Sequence, residues 1–159
     1  MKADKILLDT TYLLPFFEIE TDRFSKKDLE LLLESDIELF YNPVSLIEIK
    51  WVLIRITKRD KRKLKRLREI YSESIDYLLY NEEIKPTILL NGRISQLEDI
   101  LYDAGIKDYF DRIITATAKV FTGKLLTEDE DLAKILKSIK EFMDLEVLNW
   151  QQLIKNIKH

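Results

Sequence analysis

A chain of 159 residues with 46% hydrophobic residues and a formal net charge of −3 has the composition of a globular protein, and we predict one domain over residues 1–159. It has no cysteine, and its one histidine is His159, so disulfides, thiolate metal sites and a histidine-dependent catalytic triad are excluded. The first apolar run is broken at Asp9 and no run approaches the roughly 20 residues that cross a bilayer, so we expect a soluble cytoplasmic protein.

The first part of the chain predicts alternating strands and helices. An apolar run that ends at Asp9 indicates a buried strand, and Pro15 interrupts the helical pattern that follows, because proline is poorly accepted beyond the first helical turn. In chain order, we predict a strand over residues 4–9, a helix over 11–18, a helix over 26–34 with Ser25 as its N-cap, and a strand over 37–41.

Two long helices are predicted next, and they form a protruding helical hairpin. The first begins after Pro43, the second runs to about Tyr80, and the turn lies near residues 58–61. Residues 58–68 hold eight basic side chains and one acid, which leaves a net charge of −10 on the rest of the chain. These side chains are candidates for contacts with nucleic acid phosphates, although an ordinary solvated helix explains the run equally well. They are Lys58, Arg59, Lys61, Arg62, Lys63, Lys65, Arg66 and Arg68.

The second part of the chain continues the alternation of helices and strands. In chain order, we predict a helix over residues 89–103 stopped at Gly105, a small-residue helix that Asp111 opens and Gly123 ends, a strand over 124–127, a helix from Asp129 or Glu130 to about Ile139, a strand over 145–148 and a short final helix. Strands separated by helices predict a parallel α/β sheet with helices on both faces.

Two acids stand at the predicted ends of buried strands. Asp9 ends the first strand, and Asp129 follows a later one, where Glu128, Glu130 and Asp131 compete for the same role. Ligands of open α/β sheets bind at the carboxyl ends of the parallel strands, so both positions point to a functional site. Asp129 is equally well explained as the N-cap of the next helix.

Two further acids have positions that need an explanation. Glu48 lies on a mostly apolar helix side, which is costly unless the carboxylate is bound to a metal or paired, for example with Lys50 or Arg55. Asp111 begins a helix, where it could serve as an N-cap, and this role is compatible with metal binding.

Three or four converging carboxylates without histidine or cysteine have one well-known use. They hold one or two divalent cations, here Mg²⁺ or Mn²⁺, that orient water and stabilise charge on a phosphodiester during its cleavage. The acids in question are Asp9, Glu48, Asp111 and Asp129.

The same residues carry a resemblance to a known family. Residues 6–11, the helical segment 45–48, and the segments 111–118 and 125–129 resemble a PIN domain, and the resemblance spans nearly the whole chain. It implies a Rossmann-like three-layer fold with a parallel sheet of about four to five strands. It also implies a cluster of three or four acids that bind Mg²⁺ or Mn²⁺ and a ribonuclease activity, which in VapC-type members is the toxin of a toxin–antitoxin pair.

By this resemblance, the strand-one aspartate is Asp9, the helix glutamate is Glu48 and the aspartate before the alanine-rich helix is Asp111. The fourth acid, which varies in the family, falls on Asp129. Thr11 and Thr127 match hydroxyl residues near the first and fourth acids, where supporting hydrogen bonds are expected. A homodimer and an antitoxin are possible partners of such a protein, and RNA is the expected substrate.

The chain departs from the family pattern in two places. Arg112 stands where alanine often follows the third aspartate, and residues 61–68 make the middle helices longer and more basic than in a compact toxin. These departures weaken the toxin interpretation more than the nuclease interpretation.

Two alternatives belong to other functional classes. One is a binding module that keeps the fold and uses the basic hairpin for RNA or protein without cleaving either. The other is a receiver-type phosphotransfer domain, which would require a phosphoacceptor aspartate and a lysine at a later strand end; the sequence offers no convincing pair.

Overall fold

The computed structural model describes residues 3–157, so His159 lies outside the described residues. Five short strands form one sheet: β1 (Lys5–Leu8), β2 (Glu38–Tyr41), β3 (Ile84–Pro86), β4 (Lys124–Leu126) and β5 (Glu146–Leu148). Seven α-helices surround it: α1 (Lys26–Leu33), α2 (Val44–Thr57), α3 (Lys61–Tyr80), α4 (Gly92–Asp103), α5 (Tyr109–Phe121), α6 (Glu130–Leu136) and α7 (Trp150–Ile157). Two 3₁₀ helices cover Thr10–Phe17 and Lys140–Phe142.

The sheet is parallel throughout, with the order β3-β2-β1-β4-β5. β1 lies in the centre, and the chain leaves it for β2 on one side before returning to β4 on the other. This reversal of strand order creates a crevice at the carboxyl ends of β1 and β4, the place where ligands bind in such sheets. The predicted parallel α/β architecture is therefore confirmed.

Two hydrophobic clusters cover the two faces of the sheet, as the alternation of side chains along β1 requires. Ile6 and Leu8 pack into one cluster with the 3₁₀ helix Thr10–Phe17 and helices α1, α2, α3 and α7. Leu7 faces the other cluster, which α4, α5 and α6 supply. The result is the predicted arrangement of three layers.

Local signals placed several helices correctly. Ser25 caps α1 through a capping box with Asp28, and Asp60 caps α3, so the hairpin turn lies where the sequence predicts it. Gly105 and Gly123 have positive φ angles of 96° and 71°, which favour glycine after a helix.

Other boundaries differ from the prediction. The segment after Asp9 is a 3₁₀ helix that accommodates Pro15, and α4 begins only at Gly92, because Asn91 caps it. α6 ends at Leu136, before the predicted limit. β3 was not predicted, since it is a three-residue edge strand that contains Pro86. No helix among residues 3–157 is long and apolar enough to span a membrane.

Candidate functional site

Asp9 lies directly after β1 with its carboxylate held at both oxygens. Its Oδ1 accepts a hydrogen bond of 2.7 Å from the Thr10 backbone N–H, and its Oδ2 accepts one of 2.7 Å from the Thr127 hydroxyl. Burial nonetheless raises the pKa of Asp9 above its usual value, with a smaller contribution from the nearby carboxylates of Asp129 and Asp108. The Asp9 carboxylate is thus held in a fixed orientation, and no cation within residues 3–157 forms an ion pair with it.

Glu48 approaches Asp9 from α2. Its carboxylate accepts a hydrogen bond from the Thr10 hydroxyl, which also lies 2.9 Å from the Ser45 hydroxyl. Burial raises the pKa of Glu48 to about 7, and the negative charge of Asp9 adds to this effect.

The alternative of a paired core-edge glutamate is not supported among the described residues. Arg55 attracts the Glu48 carboxylate without forming an ion pair with it. Lys50 points elsewhere, since its Nζ lies 4.5 Å from the centre of the Tyr71 ring. Glu48 therefore faces the other acids rather than a cation.

A buried asparagine sets the direction in which α2 leaves the sheet. Asn42 follows β2, and its Oδ1 accepts a hydrogen bond of 2.8 Å from the Val44 N–H at the start of the helix. Its Nδ2 donates to Leu89 O at 3.0 Å and to the Thr117 hydroxyl at 2.8 Å. Asn42 thus ties α2, and with it Glu48, to α5 and to the loop before α4.

Asp111 is the third residue of α5 rather than its N-cap. The N-cap is Asp108, whose carboxylate accepts hydrogen bonds from the N–H groups of Phe110 at 2.8 Å and Asp111 at 3.2 Å. The pKa of Asp111 is raised to about 7, chiefly by burial. Repulsion from nearby carboxylates raises it further, and these belong to Asp9, Asp108, Glu48 and Asp129.

Asp129 lies at the carboxyl end of β4 and also caps α6. Its Oδ1 accepts a hydrogen bond of 2.9 Å from the Leu132 N–H, while its own N–H donates to the Thr127 hydroxyl at 3.2 Å. Capping and proximity to Asp9 therefore coexist. Glu128 points away from the cluster, where it accepts a hydrogen bond from the Tyr12 hydroxyl at 2.6 Å.

The four predicted acids therefore come together at the carboxyl edge of the sheet, with Asp108 as an unpredicted fifth. None of them forms an ion pair within residues 3–157. In the same range, no group of three or more acidic or histidine side chains is arranged to hold a metal ion directly. Mutual repulsion favours such separated side chains in the absence of a cation. The donor atoms are all carboxylate oxygens, which are the ligands that suit Mg²⁺ or Mn²⁺.

The hydroxyl groups around the acids only partly match the prediction. Thr127 donates to Asp9, whereas the hydroxyl that reaches Glu48 is that of Thr10, and Thr11 makes no side-chain hydrogen bond within the described residues. The supporting role of Thr11 stays a prediction. Thr115, one turn after Asp111, keeps a buried hydroxyl without a partner in the described part of the chain.

Sequence reasoning missed Asp108, Thr10, Ser45 and Asn42. Asp108 could have been recognised, because an aspartate three residues before another at a helix start is a typical N-cap. The other three depend on which strand ends meet which helix start, and this follows only from the tertiary fold.

Arg112 explains why alanine is not required after Asp111. Its side chain is buried, pairs with Glu98 on α4, and donates hydrogen bonds to the backbone carbonyls of Ile106 at 2.9 Å and Lys107 at 2.6 Å. It therefore supports the loop that carries Asp108 and does not enter the acid cluster.

The basic segment lies on the hairpin and away from the acids. All eight of its basic side chains are exposed, and the turn at Lys58 is ten residues beyond Glu48. At 1.5 Å per residue, this places the turn about 15 Å from Glu48 along the axis of α2. Lys61, Lys65 and Arg68 line an open depression on α3.

A parallel α/β fold with a group of acids at the carboxyl ends of its strands is typical of enzymes that bind a ligand or a metal ion at this edge. The sequence profile of the PIN domain family matches residues 6–137, so the chain belongs to that family. PIN domains are generally nucleases that use divalent metals. The predicted resemblance is confirmed.

Solved structures support the same fold. The chain is similar to one from the VapBC2 complex of Rickettsia felis bound to a DNA fragment from its promoter, with 15% identity, a TM-score of 0.59, and coverage of 92% of this chain and 98% of that chain. It is also similar to FitAcB from Neisseria gonorrhoeae, with 17% identity, a TM-score of 0.57 and the same coverage. FitAB bound to the IR36 DNA fragment gives 18% identity, a TM-score of 0.54, and coverage of 91% and 94%. No protein with a curated description matches the sequence.

Proposed function

We propose that this protein is a Mg²⁺- or Mn²⁺-dependent endoribonuclease of the PIN type and the toxin of a VapBC-like toxin–antitoxin pair. One observation carries the nuclease proposal. Asp9, Glu48 and Asp111 lie half-buried at the crevice of a PIN fold, none of them forms an ion pair within residues 3–157, and burial raises the pKa of each. Folding tolerates such an arrangement at a cost, and a bound divalent cation removes that cost.

Asp9, Glu48, Asp111 and Asp129 would hold the ion. When bound, Mg²⁺ or Mn²⁺ lowers the pKa of a coordinated water and neutralises charge on the scissile phosphate. Thr127 and Thr10 orient the carboxylates of Asp9 and Glu48, and Asp108 increases the negative potential that attracts the cation.

The basic hairpin is proposed to hold RNA phosphates that flank the cleavage site. Its eight cations are exposed and lie within eleven consecutive residues of an otherwise acidic chain, which suits salt-dependent and largely sequence-independent affinity. A carboxylate cluster without metal repels RNA, so binding to the hairpin and cation uptake act together.

A protein partner is supported by an exposed apolar stripe on α2. Ile47, Trp51 and Ile54 follow one another at helical spacing and are 50%, 59% and 39% exposed. The similar structures come from assemblies named VapBC2 and FitAB, and VapBC is the toxin–antitoxin type to which the sequence resemblance points. We therefore propose an antitoxin as the partner and include a homodimer in the proposal.

The test is metal-dependent cleavage of RNA by the wild-type protein and by Asp9→Asn, with Asp103→Asn as a matched control on an exposed helix end. We expect Mn²⁺-dependent endonucleolytic cleavage by the wild type and the control, and loss of at least about 100-fold in Asp9→Asn. Equal cleavage by wild type and Asp9→Asn would exclude this site.

The second candidate is a catalytically weak PIN module that binds RNA or protein. It is favoured by the separated acids, since no metal-binding group is already formed within residues 3–157. RNA binding by the wild type without cleavage at saturating Mn²⁺ would select this alternative.

A further inference from the structure

A cavity of about 330 Å³ adjoins the acid cluster at the carboxyl end of β5, between α6 and α7. Thr127 and Asp129 form part of its wall, and they also belong to the acid site, where the Thr127 hydroxyl donates to Asp9. The two spaces therefore share a wall at the edge of the sheet. The volume of the cavity falls within the range of small-molecule sites, roughly 300–1,000 Å³.

The floor of the cavity is apolar. Leu136, Phe142 and Leu145 are buried beneath it, and the flexible side chain of Met143 is 70% exposed at its rim. Such a surface can cover one face of a flat aromatic ligand, and bases of single-stranded nucleic acids bind to proteins by contacts of this kind.

Two carboxamides face the cavity with free donor groups. Asn149 and Gln152 use their carbonyl oxygens to accept each other's backbone N–H groups at 2.9 Å, as the cap of α7. Within residues 3–157, their NH₂ groups donate to no partner. Such fixed amide donors match the carbonyl and ring-nitrogen acceptors on the edge of a nucleobase.

Two lysines supply positive charge beside the acids. Lys134 on α6 and Lys137, the C-cap of that helix, line the cavity, are exposed, and form no ion pair within the described residues. They offset Asp129 and Glu130, the two acids in the same wall. A ligand with a phosphate near the acid cluster and a base in the cavity matches this distribution of charge.

We propose that the cavity binds the base of the nucleotide next to the scissile phosphate and sets the sequence preference of cleavage. The inference rests on the proposed nuclease function and names the part of the RNA that the neighbouring site recognises. Asn149 and Gln152 read the base edge, the apolar floor covers its face, and Lys134 and Lys137 hold the adjacent phosphate.

The experiment is a titration of the isotope-labelled protein in saturating Mg²⁺ with the four ribonucleoside 5′-monophosphates, followed by NMR. We expect shifts at Ala133 and at the side-chain amides of Asn149 and Gln152, with one base preferred and with smaller shifts from inorganic phosphate. Ala133→Phe fills the cavity and should weaken nucleotide binding at least about tenfold, which is the size of the loss when one base-stacking contact is removed. Ala104→Phe, on the exposed end of α4, is the matched control and should bind normally.

If Ala133→Phe fails to fold, the exposed pair Lys134→Ala and Gln152→Ala replaces it and is expected to weaken binding in the same way. Equal shifts from inorganic phosphate and from nucleotides, or shifts confined to residues 61–68, would overturn the proposal. So would unchanged binding by the folded cavity variants.

Cleavage mapping separates this inference from the nuclease proposal. If Ala133→Phe cleaves RNA at the same positions and with the same preference as the wild type, the base pocket is wrong and the nuclease proposal stands. If the wild type does not cleave RNA, the nuclease proposal fails, whereas the nucleotide titration still decides whether the cavity binds a base.

Discussion

At the scale of single residues, the acid cluster links function to stability. The pKa values of Glu48 and Asp111 are both raised to about 7, chiefly by burial, so the folded protein binds protons that the unfolded chain has already released. The folded state is therefore favoured at pH values below the ordinary pKa of a carboxyl group. This advantage is lost as the pH rises through the raised values.

The first prediction concerns pH. In EDTA, the thermal unfolding midpoint should rise as the pH falls from about 8 to about 5, and Asp111→Asn should flatten this dependence. Mn²⁺ should stabilise the protein more at the higher pH, because its ligands are then ionised. A flat wild-type profile in EDTA would contradict the proposed cluster, and Asp103→Asn should keep the wild-type slope.

The second prediction distinguishes Thr10 from Thr11. Thr10→Val removes the hydroxyl that donates to Glu48 and should lower Mn²⁺ affinity or RNA cleavage about 10- to 100-fold. Thr11→Val, a matched change at the neighbouring position, should have little effect. Calorimetric titration with Mn²⁺ measures the affinity of both variants. A larger loss of affinity in Thr11→Val than in Thr10→Val would support the role that the sequence predicted for Thr11.

The site illustrates what a sequence can predict about residues. Asp9 and Asp129 were recognised at strand ends and Glu48 on an apolar helix side, where an acid is costly and needs a reason. Asp111 was recognised at the start of a helix that resembles the third motif of the PIN family. Asp108 was missed although its position before a helix is typical of an N-cap, whereas Thr10 was missed because its contact with Glu48 joins residues far apart in the chain. The metal-binding roles of all these residues remain proposals.

At the scale of secondary structure elements, the brace between α4 and α5 positions the acidic loop. Arg112 and Glu98 pair with only 9% and 12% of their side chains exposed, so removal of one partner leaves a buried charge. Arg112→Ala should therefore destabilise the protein by about 3–5 kcal/mol.

Chemical denaturation measures this third prediction. The double variant Arg112→Met/Glu98→Leu should recover much of the stability, since it leaves neither charge unpaired. If Arg112→Ala unfolds like the wild type, the brace has no structural importance.

The fourth prediction concerns the basic hairpin. Lys61→Ala, Lys65→Ala and Arg68→Ala together should weaken RNA binding and reduce the salt slope by about 0.7 for each RNA phosphate that the variant no longer neutralises. The matched control is Lys26→Ala with Lys27→Ala on α1. Equal affinity and equal salt slope in both variants would show that the run is an ordinary solvated helix.

At the scale of the whole molecule, the sequence predicted the parallel α/β architecture but not the edge strand β3 or the order of the strands in the sheet. Alternation of strands and helices, the Ser25 cap and the glycine stops predicted the parallel α/β fold, which the structure and the PIN match confirm. β3 was missed because three residues at a sheet edge leave almost no pattern, and the strand order emerges only from pairing across the chain.

We propose that the two oppositely charged surfaces of the molecule bind different ligands. An acidic crevice at the sheet edge and a basic hairpin about 15 Å along α2 would take up a cation and a polyanion side by side. In this proposal neither surface is sufficient for cleavage. RNA held only by the hairpin would stay intact, and a loaded crevice without the hairpin would bind RNA weakly.

Asp9 and Asp111 are proposed to hold one divalent cation together. A crystal structure of the protein soaked in Mn²⁺, measured for anomalous scattering, would locate that cation. We predict an anomalous peak between these two carboxylates, within the roughly 2.0–2.6 Å over which oxygen ligands bind such divalent ions. An empty crevice at saturating Mn²⁺, with the two carboxylates turned apart, would contradict the proposed metal site.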